Sequence, residues 1–354
     1  MENPQVLSLR KLSGPLLITG HTGFKGTWLT LLLEYLNIPT IGYSLPAVKN
    51  SLFDQAELDG HIPERFADIR DRHALERFID EQRPSAIIHM AAQPLVLKSY
   101  NEPRETFEVN VAGTVNVLNL AFKKDFIKAV IVVTTDKVYR NDNSGCVFVE
   151  SDPLEGKDPY SASKVAAEAV VAAWQHIARI SGGPTVVSVR AGNVIGGGDL
   201  SQDRLIPDIV QSVAEKKEVK IRNPRSVRPW QHVLDPLHGY LQAIAKSTQQ
   251  CDNPAFNFGP DEYVAVDHVV NVARDHVFCS DTEFVFSNFE ANNLLEAQTL
   301  RLNSALAKRE LGWLPRFDTD SSIRATFDWW HSVINEKVHP LERTRLEIEG
   351  YLKG

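Results

Sequence analysis

A chain of 354 residues is long for one minimal domain and short for three, which predicts one large domain or two closely interleaved ones. With 43% apolar and 23% charged residues it has the composition of an ordinary globular protein, which excludes disordered, collagen-like and repeat-array readings. Its 38 Lys and Arg against 45 Asp and Glu leave a net charge of -7; no basic block is present to neutralise many phosphates, so no nucleic-acid partner is expected.

The elements follow in chain order from alternating periodicities. PLLIT (15–19) predicts a strand, about 25–37 a helix, IPTIGYS a second strand, and a short third strand ends at Asp68. Then come a helix over 71–82, the strand SAIIHMAA (85–92), a helix near 104–122 and the strand AVIVVTTD (129–136). A long Ala-rich helix runs from Tyr160 to about Arg179, and TVVSVRAGN (185–193) predicts a sixth strand. Beyond Gly196 the pattern loosens into a loop, GGGDLSQDRLIPD, leading into a helix, and helical endings near 304–311 and 323–334. Strands apolar on both faces and separated by helices predict an α/β fold, a Rossmann-like doubly wound parallel sheet. The second half reads as a smaller, discontinuous α/β lobe at the carboxyl ends of the strands, where open sheets bind ligands. Residues 1–190, with 232–260 returning to them, are assigned to the sheet domain, and 191–231 with 261–354 to the lobe.

Cys146, Cys251 and Cys279 are odd in number and form no CxxC pair, so neither a disulfide framework nor a metal site is expected, and a reducing, cytoplasmic location fits. MENPQVLSLRKLSGP has no apolar core of a leader, and the apolar stretch Trp28 to Leu36 is short and carries Glu34, so neither export nor a membrane span is expected.

Two motifs carry chemistry. The first strand runs into Gly20-His21-Thr22-Gly23-Phe24-Lys25-Gly26, a GxxGxxG turn opening a helix. Glycines let backbone approach a pyrophosphate, and the helix amides aim at its charge; the alternative is a tight turn without a ligand. Asp68 is positioned to accept from an adenine amino group, or is a solvated strand-end acid. The second motif is Tyr160-Ser161-Ala162-Ser163-Lys164, with Tyr and Lys on one helical face. An ammonium beside a phenol favours the phenolate and makes proton transfer feasible near neutrality; the alternative is a surface Tyr packed on a Lys stem. The pair follows the fifth strand at a distance that returns its helix beside that strand's end, where Thr134, Thr135, Asp136 and Lys137 lie.

With Asp68-Ile69, His89-Met90-Ala91-Ala92, Asn110 and Thr134-Thr135-Asp136 between these motifs, nearly the whole chain resembles the extended short-chain dehydrogenase/reductase family. GHTGFKGTW (20–28), AAQPLV (91–96), DPYSASK (158–164), RAGNVIGGGD (190–199), DRLIPD (203–208), RPWQHV (228–233) and LGW (311–313) resemble the branch that dehydrates CDP-glucose. The resemblance implies NAD as cofactor, bound by Gly20, Thr22, Gly23, Phe24, Lys25, Gly26, Asp68, Ile69, Ala91, Ala92, Gln93, Asn110, Tyr160 and Lys164. It also implies a nucleotide-sugar substrate, CDP-glucose, with Asn193, Arg204, Leu205 and Arg228 around its nucleotide. The second lobe would then be the nucleotide-sugar-binding one.

The chemistry implied is oxidation at C4, loss of water across C5 and C6, and return of hydride to C6. Tyr160 would take the C4 hydroxyl proton, with Thr135 bonding the same oxygen. Lys164 would lower the phenol pKa and hold the nicotinamide ribose, and Asn110 would support a proton relay behind it. Asp136 is assigned as acid for the C6 hydroxyl, which requires burial to raise its pKa, and Lys137 as base at C5. An ion pair is the alternative for Lys137, and a structural bridge between lobes the alternative for Arg204 and Arg228. After the second strand the chain reads Gly42-Tyr43-Ser44-Leu45-Pro46, without the acid usual for NAD; with His21 and Lys25 in the turn, this leaves NADP formally open. TDKVYRN, GGGDL and LRLN also depart from the branch's pattern and loosen the sugar assignment.

Two other readings compete: a nucleotide-sugar epimerase, or a dehydratase of another hexose, and a dinucleotide sensor without catalysis. The helix after Tyr160 has more small apolar surface than one core face needs; the family resemblance implies that it pairs with the helix near 104–122 in a four-helix bundle between two copies, hence a homodimer, and the alternative is packing within one subunit.

Overall fold

The computed structural model describes residues 4–221, 223–249, 251–280, 282–286 and 298–354. Seven strands form one sheet: β1 (Leu16–Thr19), β2 (Thr40–Ser44), β3 (Glu64–Phe66), β4 (Ala86–His89), β5 (Ala129–Val133), β6 (Thr185–Ala191) and a seventh, Ala255–Phe258. Their order is β3-β2-β1-β4-β5-β6-seventh, and every pairing is parallel. The order reverses between β1 and β4, which leaves a crevice at the carboxyl ends of those two strands.

Alternation along each strand explains the two covering layers. Leu16 and Ile18, Ile88, Ile131, Val187 and Val189 face one core with the Phe24–Tyr35 and Leu234–Ser247 helices. Leu17, Ile41, Ile87, Val130, Val132 and Val186 face the other, with the Arg72–Gln82, Gly113–Ala121 and Pro159–Ser181 helices. Side chains of a strand point to opposite faces in turn, so strands apolar throughout can only lie between two layers.

Strands end earlier than their composition predicts. β4 stops at His89 rather than residue 92 and β5 at Val133 rather than 136, because the chain there leaves the ladder to build turns: Thr135 caps a short 3-10 turn, Asp136–Val138, with its own side chain. The expected helix near 104–122 is interrupted. Pro103–Phe107 and Gly113–Ala121 are α-helical, and between them Glu108–Ala112 is a π-helical turn. The wider turn rotates Asn110 into the protein, a conformation often found at functional positions.

The periodicity reading leaves out the seventh strand, the Val266–Arg274 helix and two further helices. The Leu234–Ser247 helix is buried almost all round, and the Pro340–Lys353 helix packs against Phe24–Tyr35. Past β6, the two-residue strands Val194–Ile195 and Gln231–His232 pair in parallel outside the main sheet, and Val227–Arg228 pairs with Val264–Ala265. Of the residues expected in the second lobe, 222, 281 and 287–297 lie outside the described ones. Among the described residues no helix is long and apolar enough to cross a membrane.

Candidate active site

The glycine turn leaves β1 and enters the Phe24–Tyr35 helix with Gly23 as its N-cap and no side-chain cap. Gly20 has φ +79°, and a Cβ there would lie 2.8 Å from the Ala91 amide nitrogen. A Cβ on Gly26 would lie 2.1 Å from the Gly20 carbonyl oxygen. The turn is thus packed against the end of β4, across the sheet's switch point, and the uncapped first-turn amides suit an anion. These features fit the diphosphate of a dinucleotide. Thr22 Oγ1 bonds Ser44 Oγ at 2.8 Å and donates to the Leu45 carbonyl at 3.0 Å, tying the turn to the end of β2, and Phe24 is half-buried.

His21 and Lys25 both turn inward. His21 Nε2 meets Glu64 at 2.5 Å, its ring stacks on Phe66, and burial lowers its pKa. A Cβ on Gly42 would lie 2.6 Å from that ring, so the glycine in β2 makes room for it. Lys25 Nζ reaches the Tyr240 hydroxyl at 3.4 Å, and burial, with the charge of Lys164 next, pulls its pKa down to about 7. Neither side chain is spent on the end of β2, where a 2′-phosphate would need a cation.

Asp68 lies two residues beyond β3, with its carboxylate on the Arg70 guanidinium and backbone; that bond holds its pKa below the usual range. Ile69 is buried against Gly113, whose Cβ would lie 2.8 Å from it. After β4, Met90 and Ala91 amides donate to Thr19 Oγ1, and Ala91 and Ala92 stay partly exposed. Asn110 ties this loop to the long helix: it accepts from the Gln93 amide at 2.8 Å and donates to the Gln93 carbonyl and to Ser163 Oγ at 2.9 Å. The Gln93 side chain folds back on Leu95 and Thr106.

At the end of β5 the structure gathers Thr135, Asp136, Tyr160 and Lys164. Asp158 and Ser161 form a capping box that starts the Pro159–Ser181 helix, fixing where Tyr160 and Lys164 project. Lys164 Nζ donates to the Val133 carbonyl at 3.0 Å, and burial pulls its pKa down to about 8. Thr135 donates to Asp136 Oδ1 at 3.1 Å, while the buried Asp136 Oδ2 has no partner. Burial raises the Asp136 carboxyl to about 6, the direction its assigned role requires. Tyr160 departs from expectation: burial pushes its phenol up to about 12, and the groups that draw it down are the Thr135 hydrogen bond and the Arg204 charge rather than Lys164. Lys164 spends its bond on the β5 backbone instead. Lys137 is partly exposed, and its backbone N–H donates to Thr135 Oγ1.

The second-lobe residues reach the same region. Arg204, at the start of the Leu205–Ala214 helix, pairs with Asp199 at 3.4 Å, and its charge bears on Lys25 and Tyr160. Leu205 opens that helix, half-buried. Arg228 is buried, donates to the Val227 and Gln298 carbonyls, and its charge bears on Asp136. Asn193 accepts from the Gln231 amide through its carbonyl.

Sequence reasoning misses several polar residues here. Glu168 takes bonds from Thr134 Oγ1 (2.6 Å), Ser188 Oγ (2.9 Å) and, bidentate, from Arg190 (2.9 Å each). Arg190 also donates to the Tyr139 hydroxyl, which bonds Asn257 at 2.6 Å. One signal was available: Glu168 is an acid on the buried side of an otherwise apolar helix, one turn after Lys164.

Residues 16–259, well over half of the chain, match the family described as NAD dependent epimerase/dehydratase. The chain belongs to that family. As a member, its cofactor is NAD, which the inward-turned His21 and Lys25 suit. The CDP-glucose 4,6-dehydratase of Salmonella typhimurium (strain LT2) is 39% identical to this epimerase/dehydratase over 357 residues, 95% of this chain and 96% of the relative. The dTDP-glucose 4,6-dehydratase of Shigella flexneri is 25% identical over 89% of this chain and 92% of its own. Among solved structures, the fold resembles a Bacillus anthracis dTDP-glucose 4,6-dehydratase in complex with NAD (TM-score 0.75, 24% identity, 93% of this chain and 100% of that one). It also resembles a Stenotrophomonas maltophila UDP-glucose-4-epimerase with bound NAD (TM-score 0.79, 21% identity, 90% and 98%).

Proposed function

We propose that this chain is a hydro-lyase that converts CDP-glucose to CDP-4-keto-6-deoxyglucose and water, a reaction of deoxysugar biosynthesis. The carrying observation is the buried, unpartnered Asp136 carboxyl oxygen beside Thr135 and Tyr160. An epimerase needs a proton acceptor at C4 and no further acid; a carboxyl raised to about 6 is suited to protonating a leaving hydroxyl. The 39% identity to the Salmonella enzyme supports CDP-glucose as the substrate.

Bound NAD would supply the hydride acceptor for C4 of the sugar and the hydride donor for C6. The chain's residues move the protons. Tyr160 accepts the C4 hydroxyl proton while Thr135 holds the same oxygen, which requires the phenol to be drawn down from about 12, the direction in which the Thr135 hydrogen bond and the Arg204 charge act. The resulting C4 ketone acidifies the C5 hydrogen, Lys137 takes that proton, and Asp136 gives its own to the C6 hydroxyl, which leaves as water. Lys137 then returns its proton to C5 while C6 would receive the hydride, so the sugar ends as the 4-keto-6-deoxy product, and the proton held on Tyr160 replaces the one Asp136 gave up, directly or through solvent. Gly20, Thr22, Gly23, Phe24, Lys25, Gly26, Asp68, Ile69, Ala91, Ala92, Gln93 and Asn110 are assigned to the dinucleotide, and Asn193, Arg204, Leu205 and Arg228 to the substrate nucleotide. In this reading 1–190 with 232–260 hold the cofactor and 191–231 with 261–354 the nucleotide sugar. Parallel incubations of the protein and NAD with CDP-glucose, dTDP-glucose and GDP-mannose test the assignment. Loss of one water from CDP-glucose alone, with alkali-induced absorbance of a keto sugar, is expected; an unchanged mass with a new stereoisomer would make the chain an epimerase.

The protein also works as a homodimer in this proposal. The helices 96–101, 103–121 and 159–181 leave Leu97, Tyr100, Phe107, Ile177 and Ile180 exposed, apolar area that a second copy would bury. Sedimentation equilibrium should return twice the chain mass; a monomer at assay concentration removes this interface. A reducing, cytoplasmic setting is supported by three unpaired cysteines, one of them exposed Cys146.

A further inference from the structure

We propose that Glu168 is a positioning residue that keeps the Lys164 amine protonated, and that Arg190 sets how much of the Glu168 charge Lys164 feels. This rests on the reading of Lys164 as part of the proton-transfer group. Two consecutive rungs clamp the long helix to the end of β5: Lys164 Nζ bonds the Val133 carbonyl, and Glu168, one turn later, takes the Thr134 hydroxyl. The next residue is Thr135, so the clamp that sets the charge of Lys164 also sets the position of Thr135.

The carboxylate is built to stay ionised. Glu168 and Arg190 side chains are each 5% exposed, and the two are joined by two bonds of 2.9 Å. Burial alone would raise the Glu168 carboxyl, but Arg190, Thr134 and Ser188 overcome it and hold it below the usual range. Its negative charge raises Lys164 against the burial that lowers it. The other groups around Lys164 do not supply a counter-charge: His89 from β4 is held neutral by burial and Lys164 itself, with a pKa of about 3, Lys25 from the glycine turn repels it, and Tyr160 on its own helix is a neutral phenol. Asp136, after β5, ionises above about 6 and bears on Lys25, whereas the charge that raises Lys164 is that of Glu168. Among the described residues, Glu168 is therefore the anion that raises Lys164.

The test reads the amine directly. In protein labelled with ¹³C at the lysine ε-carbon, the Lys164 resonance, assigned with Lys164→Arg, is followed against pH in Glu168→Gln, Arg190→Gln and the neutral pair Glu168→Gln/Arg190→Gln. Removing the anion should lower the Lys164 midpoint and removing the competing cation should raise it, each by about 1 pH unit, with the neutral pair between. If one single variant does not fold, the order of the other against the neutral pair still decides. Equal midpoints, or single variants shifted in the same direction, overturn the proposal, because a merely structural pair has no reason to move the amine oppositely. No substrate enters this measurement. Failure to turn over CDP-glucose would overturn the proposed function and leave the titration order to be judged by itself.

Discussion

Tyr160→Phe is expected to lower turnover of CDP-glucose by roughly 10²–10⁴-fold, the usual contribution of one positioned proton-transfer group. The ring is only 8% exposed and the substitution removes one oxygen, so the fold should keep its melting temperature. The hydroxyl bonds Thr135 and sits under the Arg204 charge, both of which remain in the variant. Binding of CDP-glucose, read by calorimetry, should change little while kcat collapses, since the interaction lost belongs to the reacting oxygen rather than to the nucleotide. Steady-state kinetics checks this. A variant retaining more than roughly a tenth of wild-type kcat would take Tyr160 out of proton transfer.

Asp136→Asn should separate two properties that usually move together. In its proposed role as acid for the C6 hydroxyl, Asp136 is needed for elimination but not for loss of the C5 proton. Water loss should therefore fall by roughly 10²–10⁴-fold, while recovered substrate still gains deuterium at C5 from heavy water, a mass measurement. In the wild type, the same role makes elimination decline as pH rises through about 6, where the free carboxyl ionises.

The stability of Asp136→Asn should move opposite to its activity. The carboxyl is raised in the folded state from its ordinary 3.8 to about 6, so its contribution is intact below pH 3.8 and is lost as pH climbs through 6, because the unfolded chain gives up its proton first. At pH 8 that loss amounts to about 3 kcal/mol, and an amide cannot ionise. The variant should melt several degrees above wild type at pH 8 and close to it at pH 4. Equal melting curves at both pH values would mean that the carboxyl is not held in a dry site, and the acid role would lose its physical basis.

Glu168 and Arg190 set a bound on such experiments. Removing one partner of a buried ion pair costs about 3–5 kcal/mol, which is why their neutral pair is needed beside the single variants. Asp136 differs because burial outweighs the Thr135 hydrogen bond and the Lys137 and Arg228 charges that favour its ionised form, so removing its charge relieves a net cost.

Local chemistry was enough to read the glycine turn, the parallel alternation and the Tyr160-Lys164 spacing, because each depends on neighbours within a turn or a strand. Gly20 and Gly26 sit where a Cβ would meet backbone, and strands apolar on both faces lie between two helical layers. The resemblance to the family rested on its residue blocks, which stand in order along the chain. The tertiary structure alone decided the rest. It stopped β4 and β5 short, so that Thr135 caps a turn rather than extending a strand. It opened the π-helical turn that brings Asn110 from one helix to Gln93 and Ser163 on two other segments. It buried Asp136 and raised it, pushed Tyr160 up rather than down, and put Glu168 against Arg190, 22 positions away in the chain. Proton affinity depends on solvent exclusion and on charges that approach through space. Neither is written in the spacing of residues along the chain, so the sequence determined which groups are present and the packing decided what protons they hold.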